Sequence, residues 1–406
     1  MNRAKVSELY SHKQLEVLNY YYNNDFGMLI NHGAVRTGKT IIDNDIFLAE
    51  LLRVREYTRT RGIAEPQYIL AGASIGNIHK NVLSDLTKKY GLEFKPNKYN
   101  QFKLFGVNVC MTGHDDIGQV KGITGMTAYG AYINEGALSK QEAFDEILKR
   151  VSGDTYFHAR TIIDTNPDAP SHWLNAEYIK KADGKHIKTF HWQIDDNPFL
   201  NAEYVADLKA STPSGVFYDR KIKGLWVSAD GIVYRDFDEN RHVLADLGDR
   251  LVTSYFAGID WGYEHKGSIG VFAETASGEY VLIEEVTKKH LLVEGWISEA
   301  KRLQEKYGKM PFYADSARPD NINAFLQNDI MTYKAKKDIN QGIEDVARRL
   351  KRNLLYFYRP GLKDFLKEVY QYVWDERTGL PVKTNDDVMD MVRYAVFTRD
   401  KLKGVC

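Results

Sequence analysis

The sequence has few cysteines, no long apolar run and no excess of charge of either sign. Its two cysteines, Cys110 and Cys406, can form neither a disulfide framework nor a zinc site, so we expect a reducing compartment. No run approaches the roughly 18 apolar residues that span a bilayer, and no signal-like stretch follows residues 1–5. These absences give no indication of a membrane partner.

The balance of 55 basic and 55 acidic residues argues against a protein that coats nucleic acid with its whole surface. If DNA is a partner, its contacts must come from local basic clusters. Each cluster taken alone is more often a solvated helix face. The candidates are Lys301-Arg302, Lys334 with Lys336-Lys337, and Arg348-Arg349 with Lys351-Arg352.

The length of 406 residues predicts two domains. Residues 1–225 alternate apolar strands with helical stretches, which predicts an α/β fold with a mostly parallel, helix-flanked sheet. Residues 226–250 are acid-rich and are predicted to be a linker, and residues 251–406 begin with an antiparallel meander. The predicted strands are Gly27–Ile30, Tyr68–Ala71, Gly106–Met111, Ala128–Ile133 and Thr161–Asp164, then Tyr255–Asp260, Ser268–Ala273 and Tyr280–Val286.

The strongest motif is Gly33-Ala34-Val35-Arg36-Thr37-Gly38-Lys39-Thr40, which fits G-x-x-x-x-G-K-[ST] between an apolar strand and a helical run. Gly33, Thr37 and Gly38 belong to a loop whose backbone N–H groups can surround phosphates at a helix N-terminus. We expect Lys39 to reach the β- and γ-phosphates and the Thr40 hydroxyl to ligate Mg²⁺. The motif therefore predicts an ATP site.

A P-loop also requires an acid at the end of a neighbouring strand. Glu135 is the predicted general base for the attacking water. It lies at the end of the strand Ala131–Ile133, separated from Ile133 by Asn134. Asn134 stands where the metal-side acid is usual; it can accept a hydrogen bond from the Mg²⁺ water shell but brings no charge. The alternative acid is Asp164, but Asp-Thr-Asn-Pro suits a phosphate-sensing turn, so Asp164 and Asn166 are predicted sensors of the γ-phosphate.

Two further residues are candidates for the nucleotide. Arg36, inside the loop, could stabilise charge on the γ-phosphate, or it could pair with a surface carboxylate. Gln14, upstream of the loop, could recognise adenine, or it could be an ordinary helix residue.

Three aspartates in the second half suggest a metal-dependent nuclease. Asp260 and Asp315 follow predicted strands, and Asp390 lies in a helical pattern that places Asp387 on the same face. Carboxylates from two strand ends and one helix suit a pair of Mg²⁺ or Mn²⁺ ions about 3.5–4 Å apart. Each aspartate alone is more often a cap or turn residue. In chain order, the first acid follows a strand, two meander strands come next, the second acid follows another strand, and the third acid lies on a helix. This is the order of an RNase H-like domain.

Taken together, the two halves resemble the large terminase subunit of tailed bacteriophages, the motor that fills the procapsid and cuts the DNA concatemer. The resemblance covers nearly the whole chain, with two departures: Asn134 replaces an aspartate, and Asp387 stands where relatives often have a histidine. The matching positions are Gly33–Thr40, Ile133–Glu135, Thr165–Pro167, Asp195–Pro198, Gly224–Trp226, and Asp260, Asp315 and Asp390–Tyr394.

The resemblance implies a RecA/ASCE-like P-loop NTPase domain at 1–225 and an RNase H-like nuclease domain at 251–406. It also implies double-stranded DNA, a portal protein and a small terminase subunit as partners, and a homo-oligomeric ring formed from a chain that can be monomeric when isolated. The expected location is the cytoplasm of the infected bacterium, with transient residence at the procapsid portal and absence from the mature virion. Lys121 is a candidate finger toward a neighbouring subunit.

Two other functions remain open from the sequence. One is a helicase-like or repair ATPase whose second domain binds DNA without cutting it. The other is an assembly protein that binds nucleotide as a structural ligand.

Overall fold

The computed structural model describes residues 8–384 and 386–404, so Cys406 and residues 1–5 lie outside the described residues. The chain divides into two compact units. The first comprises the residues up to Ala206 with Tyr218–Val227, and the second comprises Asp207–Phe217 with the residues from Ser228 onward.

The first unit contains a seven-stranded sheet in the order β3-β4-β2-β5-β6-β1-β7. Every pair of neighbours is parallel except β3 and β4, which are antiparallel. The predicted α/β class with a mostly parallel sheet is therefore confirmed. The strands are β1 Met28–Gly33, β2 Gln67–Gly72, β3 Gln101–Leu104, β4 Val107–Gly113, β5 Ala128–Ile133, β6 Arg160–Thr165 and β7 Ile187–Trp192.

Side chains of successive strand residues enter two different cores, because they point to opposite faces of the sheet. Leu29 packs with one hydrophobic cluster, whereas Met28 and Ile30 pack with the other. Helices cover these faces. They are α1 His12–Asn23, α2 Lys39–Thr60, α3 Ile75–Ile78, α4 Ser84–Tyr90 and α5 Gln141–Arg150; α6 Ala202–Ser211 and α7 Val216–Lys221 contain residues of both units.

The second unit contains a seven-stranded mixed sheet in the order β13-β12-β9-β10-β11-β14-β8. β9, β10 and β11 form the predicted antiparallel meander, and β12 pairs in parallel with β9. The strands are β8 Val243–Leu244, β9 Val252–Asp260, β10 Gly267–Thr275, β11 Tyr280–Lys288, β12 Phe312–Ala314, β13 Thr332–Lys334 and β14 Leu355–Tyr358, with a separate pair, β15 Trp374–Asp375 and β16 Leu380–Pro381.

Helices pack on both faces of the second sheet, again with alternate strand residues in different clusters. Phe256 belongs to one cluster, and Ala257 and Ile259 belong to the other. The helices are α8 Glu239–His242, α9 Val293–Tyr307, α10 Pro319–Gln327, α11 Ile339–Lys351, α12 Phe365–Gln371 and α13 Asp387–Lys403. Among the described residues, no helix is both long and apolar enough to span a membrane.

The segment 226–250, for which the sequence predicts a linker, is mostly folded into the second unit from Ser228 onward. Val233 and Tyr234 are buried in its core, and the Val233 N–H donates to Tyr372 O at 2.9 Å. Acidic residues and apolar residues that enter the core thus occur together in this segment.

A buried ion pair fixes α11 to α13 in this unit. Arg349 donates to both oxygens of Asp400 at 2.7 and 2.6 Å, and the Tyr280 hydroxyl donates to the same carboxylate at 2.9 Å. The Arg349 guanidinium also lies 3.5 Å from the centroid of the Tyr280 ring. Removal of one partner would leave the other charge buried and unpaired.

We expect Asp400→Ala to lower the free energy of unfolding by about 3–5 kcal/mol, because Arg349 then keeps its charge in the core without a counterion. Arg302→Ala is the control, since Arg302 pairs with Glu284 and Glu299 at the surface and such pairs contribute about 0–1 kcal/mol. Urea unfolding measures both. Equal losses for the two variants would contradict this assignment.

Candidate functional site

The loop from Gly33 to Lys39 has the backbone of a phosphate-binding loop. Gly33 and Gly38 have φ of 144° and 89°, and Arg36 lies in the left-handed region at φ 60°. Helix α2 begins at Lys39, and its N-cap, Gly38, offers no side chain to satisfy the first N–H groups. These N–H groups and the positive end of the helix suit an anion.

Lys39 is buried beside this loop, with 6% of its surface exposed. Its ammonium donates to Ala34 O at 2.7 Å and to Asn166 Oδ1 at 2.9 Å. Burial lowers the pKa of Lys39 to about 8, against the opposing effect of nearby carboxylates. Since both acceptors are neutral, a phosphate would be a stronger partner for this charge. Lys39 of the loop and Asn166, the predicted sensor of the γ-phosphate, are thus adjacent.

Asp164 lies at the centre of the acids predicted for this site. Its carboxylate accepts a hydrogen bond from the Thr40 hydroxyl, two from Asn134 Nδ2 at 2.9 and 3.1 Å, and one from Glu135 N at 2.9 Å. The parallel register explains this meeting, because Ile133 pairs with Ile163 and Asn31 pairs with Asp164. The acid beside Thr40 is therefore Asp164, the alternative that the sequence placed second.

Asn134 makes different contacts from those expected. Its side-chain oxygen accepts from Asn81 Nδ2 at 3.1 Å, and its amide nitrogen donates to Asp164. The predicted hydrogen bond from the water shell of a metal ion to this oxygen stays a prediction, since an amide oxygen that accepts from Asn81 can accept a second hydrogen bond. In the structure Asn134 orients the Asp164 carboxylate.

Glu135 is held in a strained conformation at the end of β5. Its φ is 59°, and left-handed backbone at a residue other than glycine costs about 1–3 kcal/mol. Asn77 Nδ2 donates to its carboxylate at 3.1 Å. Burial raises the pKa of Glu135, and the charge of Asp164 raises it further. A raised pKa makes this carboxylate a better proton acceptor, as a general base requires.

The other predicted nucleotide residues lie around the same loop. Gln14 caps helix α1 together with Ser11 and donates to Gly38 O at 3.0 Å. The Thr37 hydroxyl donates to Ala34 O at 3.3 Å, and Arg36 O accepts from Asn197 Nδ2 at 2.7 Å. Gln14 therefore contacts the loop backbone, and recognition of adenine by Gln14 stays a prediction.

Sequence reasoning missed the support behind the loop. Ala34 N donates to Trp192 O at 2.8 Å, and Val35 N donates to Lys221 O at 3.2 Å. Gly224 lies against the same atoms, because a Cβ at this residue would be 2.2 Å from Trp192 O and 2.5 Å from Ala34 N. The only signal in the sequence was the Gly224–Trp226 match to the terminase pattern.

In the second unit, two predicted acids leave the sheet at one edge. Asp260 is the last residue of β9, and Asp315 directly follows β12. These strands are parallel neighbours, with Ala314 paired to Ile259, and Asp315 N donates to Ile259 O at 3.0 Å. The two side chains therefore begin side by side.

Helix α13 brings Asp387 and Asp390 to the same edge. A Cβ at Gly258 of β9 would lie 2.5 Å from Met391 O, so only glycine allows the helix backbone to approach this strand. The Ser268 hydroxyl donates to Asp387 O at 2.8 Å, and Ser268 is paired with Asp260 across β9 and β10. The structure thus places all four predicted acids in one neighbourhood.

The charges of this carboxylate cluster, defined as Asp260, Asp315, Asp387 and Asp390, are only partly balanced by the protein. Burial raises the pKa of Asp260 well above its usual range, and the charges of Asp390, Asp315, Asp387 and Asp386 raise it further. Like charges held together are stabilised by a cation, and carboxylate oxygens are the ligands of hard divalent ions. The donor chemistry therefore fits Mg²⁺ or Mn²⁺.

Two protein cations already contact the cluster. Lys337 pairs with Asp315, and Arg393 pairs with Asp390 at 2.9 Å. Within residues 8–384 and 386–404, no three His, Cys, Asp or Glu side chains are arranged to hold a metal ion as they stand. The carboxylates match a divalent ion by charge and type, and Lys337 and Arg393 engage one oxygen each of Asp315 and Asp390.

Comparison with known proteins shows what this chain resembles. A family model described as phage terminase large subunit matches residues 74–214. The large terminase of a thermophilic bacteriophage, in complex with ADP, is 27% identical with a TM-score of 0.77 over 97% of this chain and 100% of that chain. This chain is similar to phage terminase large subunits, in sequence over residues 74–214 and in structure over nearly its whole length.

Two further structures of the same thermophilic phage terminase are similar over both units. One, in a second crystal form, has 27% identity and a TM-score of 0.78 over 97% of this chain and 99% of that one. The other, in complex with ATP-γ-S, has 27% identity and a TM-score of 0.75 over 96% and 98% of the two chains. None of the curated proteins matches the chain.

The basic clusters proposed for DNA contacts are largely engaged within this chain. Arg349 is buried against Asp400, Arg302 pairs with Glu284 and Glu299, and Lys337 pairs with Asp315. A run of basic residues in the sequence does not show which face of a helix each residue occupies. Unpaired basic side chains that could contact DNA are therefore expected mainly outside these clusters.

We expect Gly224→Ala to weaken ADP binding at least about tenfold, or 1.4 kcal/mol, because the new methyl group would displace Ala34 and Gly33 of the loop. Gly184→Ala is the matched control, since Gly184 has φ 73° against 72° for Gly224 and no atom lies within 4 Å of the place that its methyl group would take. Both variants bear the left-handed cost of about 1–2 kcal/mol. Calorimetric titration with ADP separates them, and unchanged affinity in Gly224→Ala would contradict the role of Gly224.

Proposed function

We propose that this chain is the motor subunit that hydrolyses ATP to move double-stranded DNA into a procapsid and cuts concatemeric DNA with a two-metal endonuclease site. One observation carries the proposal: a single polypeptide holds a phosphate-binding loop with buried Lys39 and, in its other unit, a cluster of four aspartates at one sheet edge. Similarity to phage terminase large subunits supports it.

At the nucleotide site, Lys39 and the first N–H groups of α2 bind the β- and γ-phosphates, and Asn166 senses whether the γ-phosphate is present. Thr40 and Asp164 would hold Mg²⁺, which would supply positive charge beside the phosphates. Asp164 provides the carboxylate that is missing at Asn134, because it already contacts Thr40 and is oriented by the Asn134 amide. Asn134 is thus a positioning residue.

Glu135 accepts the proton of the attacking water. Its raised pKa favours this role, and its strained backbone and the Asn77 hydrogen bond fix its direction. Arg36 is a candidate for stabilising the γ-phosphate in the same subunit, Gln14 for recognising adenine, and exposed Lys121 for reaching a neighbouring subunit.

We expect Asp164→Asn to abolish DNA-stimulated ATP turnover and to weaken the Mg²⁺ dependence of ATP-γ-S binding, because Thr40 then loses the carboxylate that it contacts. The exchange variant Asn134→Asp with Asp164→Asn restores the charge one strand away and should recover part of the Mg²⁺ dependence. Steady-state phosphate release and titrations with and without Mg²⁺ measure these effects.

Two controls accompany this experiment. Glu135→Ala should bind ATP-γ-S with wild-type Mg²⁺ dependence but turn over no ATP. Asp168→Asn alters an exposed carboxylate that pairs with Arg220 and should behave as wild type. Absence of turnover in the wild type, with DNA and partner subunits supplied, would favour an assembly protein that binds nucleotide as a structural ligand.

At the nuclease site, Asp260, Asp315, Asp387 and Asp390 hold the divalent ions. Such ions supply an activated water on one side of the phosphodiester and stabilise the leaving 3′ oxygen on the other. Lys337 and Arg393 balance the charges of Asp315 and Asp390 until metal binds. The succession of Asp260 after β9, two meander strands, Asp315 after β12 and Asp390 on α13 supports an RNase H-like assignment for this unit.

We expect Asp260→Ala to abolish plasmid cleavage in Mn²⁺, because Asp260 lies among all the other acids of the cluster. Glu305→Ala, which removes an exposed acid of α9, should cut like the wild type. Agarose gels of supercoiled plasmid measure this. Wild-type cleavage by Asp260→Ala would sink the nuclease assignment and leave a helicase-like or repair ATPase that binds DNA without cutting it.

The partners follow from the same proposal. A packaging motor works on a portal with a small terminase subunit, as a homo-oligomeric ring around DNA, in the cytoplasm of the infected host and not in the finished virion. Cleavage should show little sequence preference, because no element of the sequence resembles a base-reading module.

A further inference from the structure

A cavity of about 950 Å³ lies beside the carboxylate cluster in the second unit. Four carboxylates line it, those of Asp260, Glu264, Asp386 and Asp387. Its remaining walls carry two kinds of side chain that catalysis at the cluster does not require.

The first kind is basic. Lys289, Arg318 and Lys383 line the cavity and are exposed. In the part of the chain that the structure describes, none of the three forms an ion pair, whereas Lys266 in the same cavity pairs with Asp364 at 3.0 Å. Three unpaired cations around one concave surface attract a polyanion such as a phosphodiester chain. They also differ from the basic clusters of the sequence, whose charges are largely used internally.

The second kind is apolar and aromatic. Tyr263 and Leu292 line the cavity with 46% and 63% of their surfaces exposed. Trp261 is half-buried behind them, and its indole N–H donates to Asp315 O at 3.0 Å. Trp261 thereby ties this wall to one of the cluster aspartates.

This combination distinguishes between two forms of DNA. A duplex presents phosphates and groove edges, and its base faces are stacked inside, so exposed Tyr263 and Leu292 would have nothing apolar to contact. An unpaired strand presents base faces as well as phosphates, and base stacking on aromatic side chains contributes about 1–3 kcal/mol per base. The cavity has a surface for each of these groups.

We propose that this cavity binds an unpaired segment of a DNA strand, with bases on Tyr263 and Leu292 and phosphates on Lys289, Arg318 and Lys383. The inference rests on the proposed nuclease and makes it specific: a strand that is locally unpaired is cut faster than an intact duplex. Pairing, rather than base sequence, then determines where cleavage occurs.

Binding tests the site without catalysis. The full chain is titrated, in EDTA, into fluorescent oligonucleotides of one sequence, supplied as a single strand, an intact duplex and a duplex with a central unpaired bubble. We expect Tyr263→Ala and Leu292→Ala each to weaken binding of the single strand and the bubble roughly 5- to 150-fold, with little change for the duplex. Replacement of Lys289, Arg318 or Lys383 by alanine should lower the salt dependence of binding.

Matched controls exclude a general effect of surface changes. Tyr333→Ala and Leu326→Ala remove side chains that are 49% and 50% exposed but lie outside the cavity lining. Both variants should bind like the wild type. If Tyr263→Ala and Leu292→Ala match these controls on every oligonucleotide, the proposal is overturned.

Cleavage in Mn²⁺ separates this inference from the nuclease proposal. Faster cutting of the bubble than of the duplex, lost in Tyr263→Ala, supports both. Equal cutting of bubble and duplex that Tyr263→Ala does not change overturns the strand site and leaves the nuclease. Selective binding of unpaired DNA without cleavage of any substrate supports the strand site and overturns the nuclease.

Discussion

Both candidate sites exist because parallel strands end at the same edge of a sheet. In the first unit, β5, β6 and β1 end together, which brings Asn134, Asp164 and the phosphate loop into contact although they are far apart in the chain. In the second, β9 and β12 do the same for Asp260 and Asp315. If either strand pair were antiparallel, its acids would lie at opposite ends of the sheet. The chemistry of both candidate sites therefore depends on the direction of these strands.

The two sites share an electrostatic condition, although their charges are opposite. Lys39 is buried against neutral oxygens, which lowers its pKa, and Asp260 is surrounded by other acids, which raises its pKa. Burial of a charge without a full counter-charge is costly. A polyanion relieves this cost at the first site and a divalent cation relieves it at the second. The burial of these charges lowers the free energy of unfolding of the ligand-free chain, and it increases the affinity of each site for a ligand of opposite charge.

The sequence predicted those features that depend on local pattern. Buried runs such as β5 were placed at Ala128–Ile133, where the structure has them, and the phosphate loop was identified by its glycines. Contacts between residues of different strands could not be predicted from the sequence. No local pattern shows that the Asn134 amide orients Asp164, or that Asp164 rather than Asn134 lies beside Thr40. The buried position of Arg349 was equally hidden, since it depends on which face of α11 packs against α13.

The contact of Gly258 with Met391 limits how the carboxylate cluster can change shape. Strand and helix meet here backbone against backbone, with no compressible side chain between them. Packed backbones resist further approach, and separating them would expose buried apolar surface to water. Widening the gap between Asp260 and Asp390 would therefore cost free energy, and the Arg349–Asp400 pair and the Ser268–Asp387 hydrogen bond resist sliding of α13 along its axis. The packing of α13 on β9 thus sets the spacing of the carboxylates, and an ion that binds there has to match that spacing.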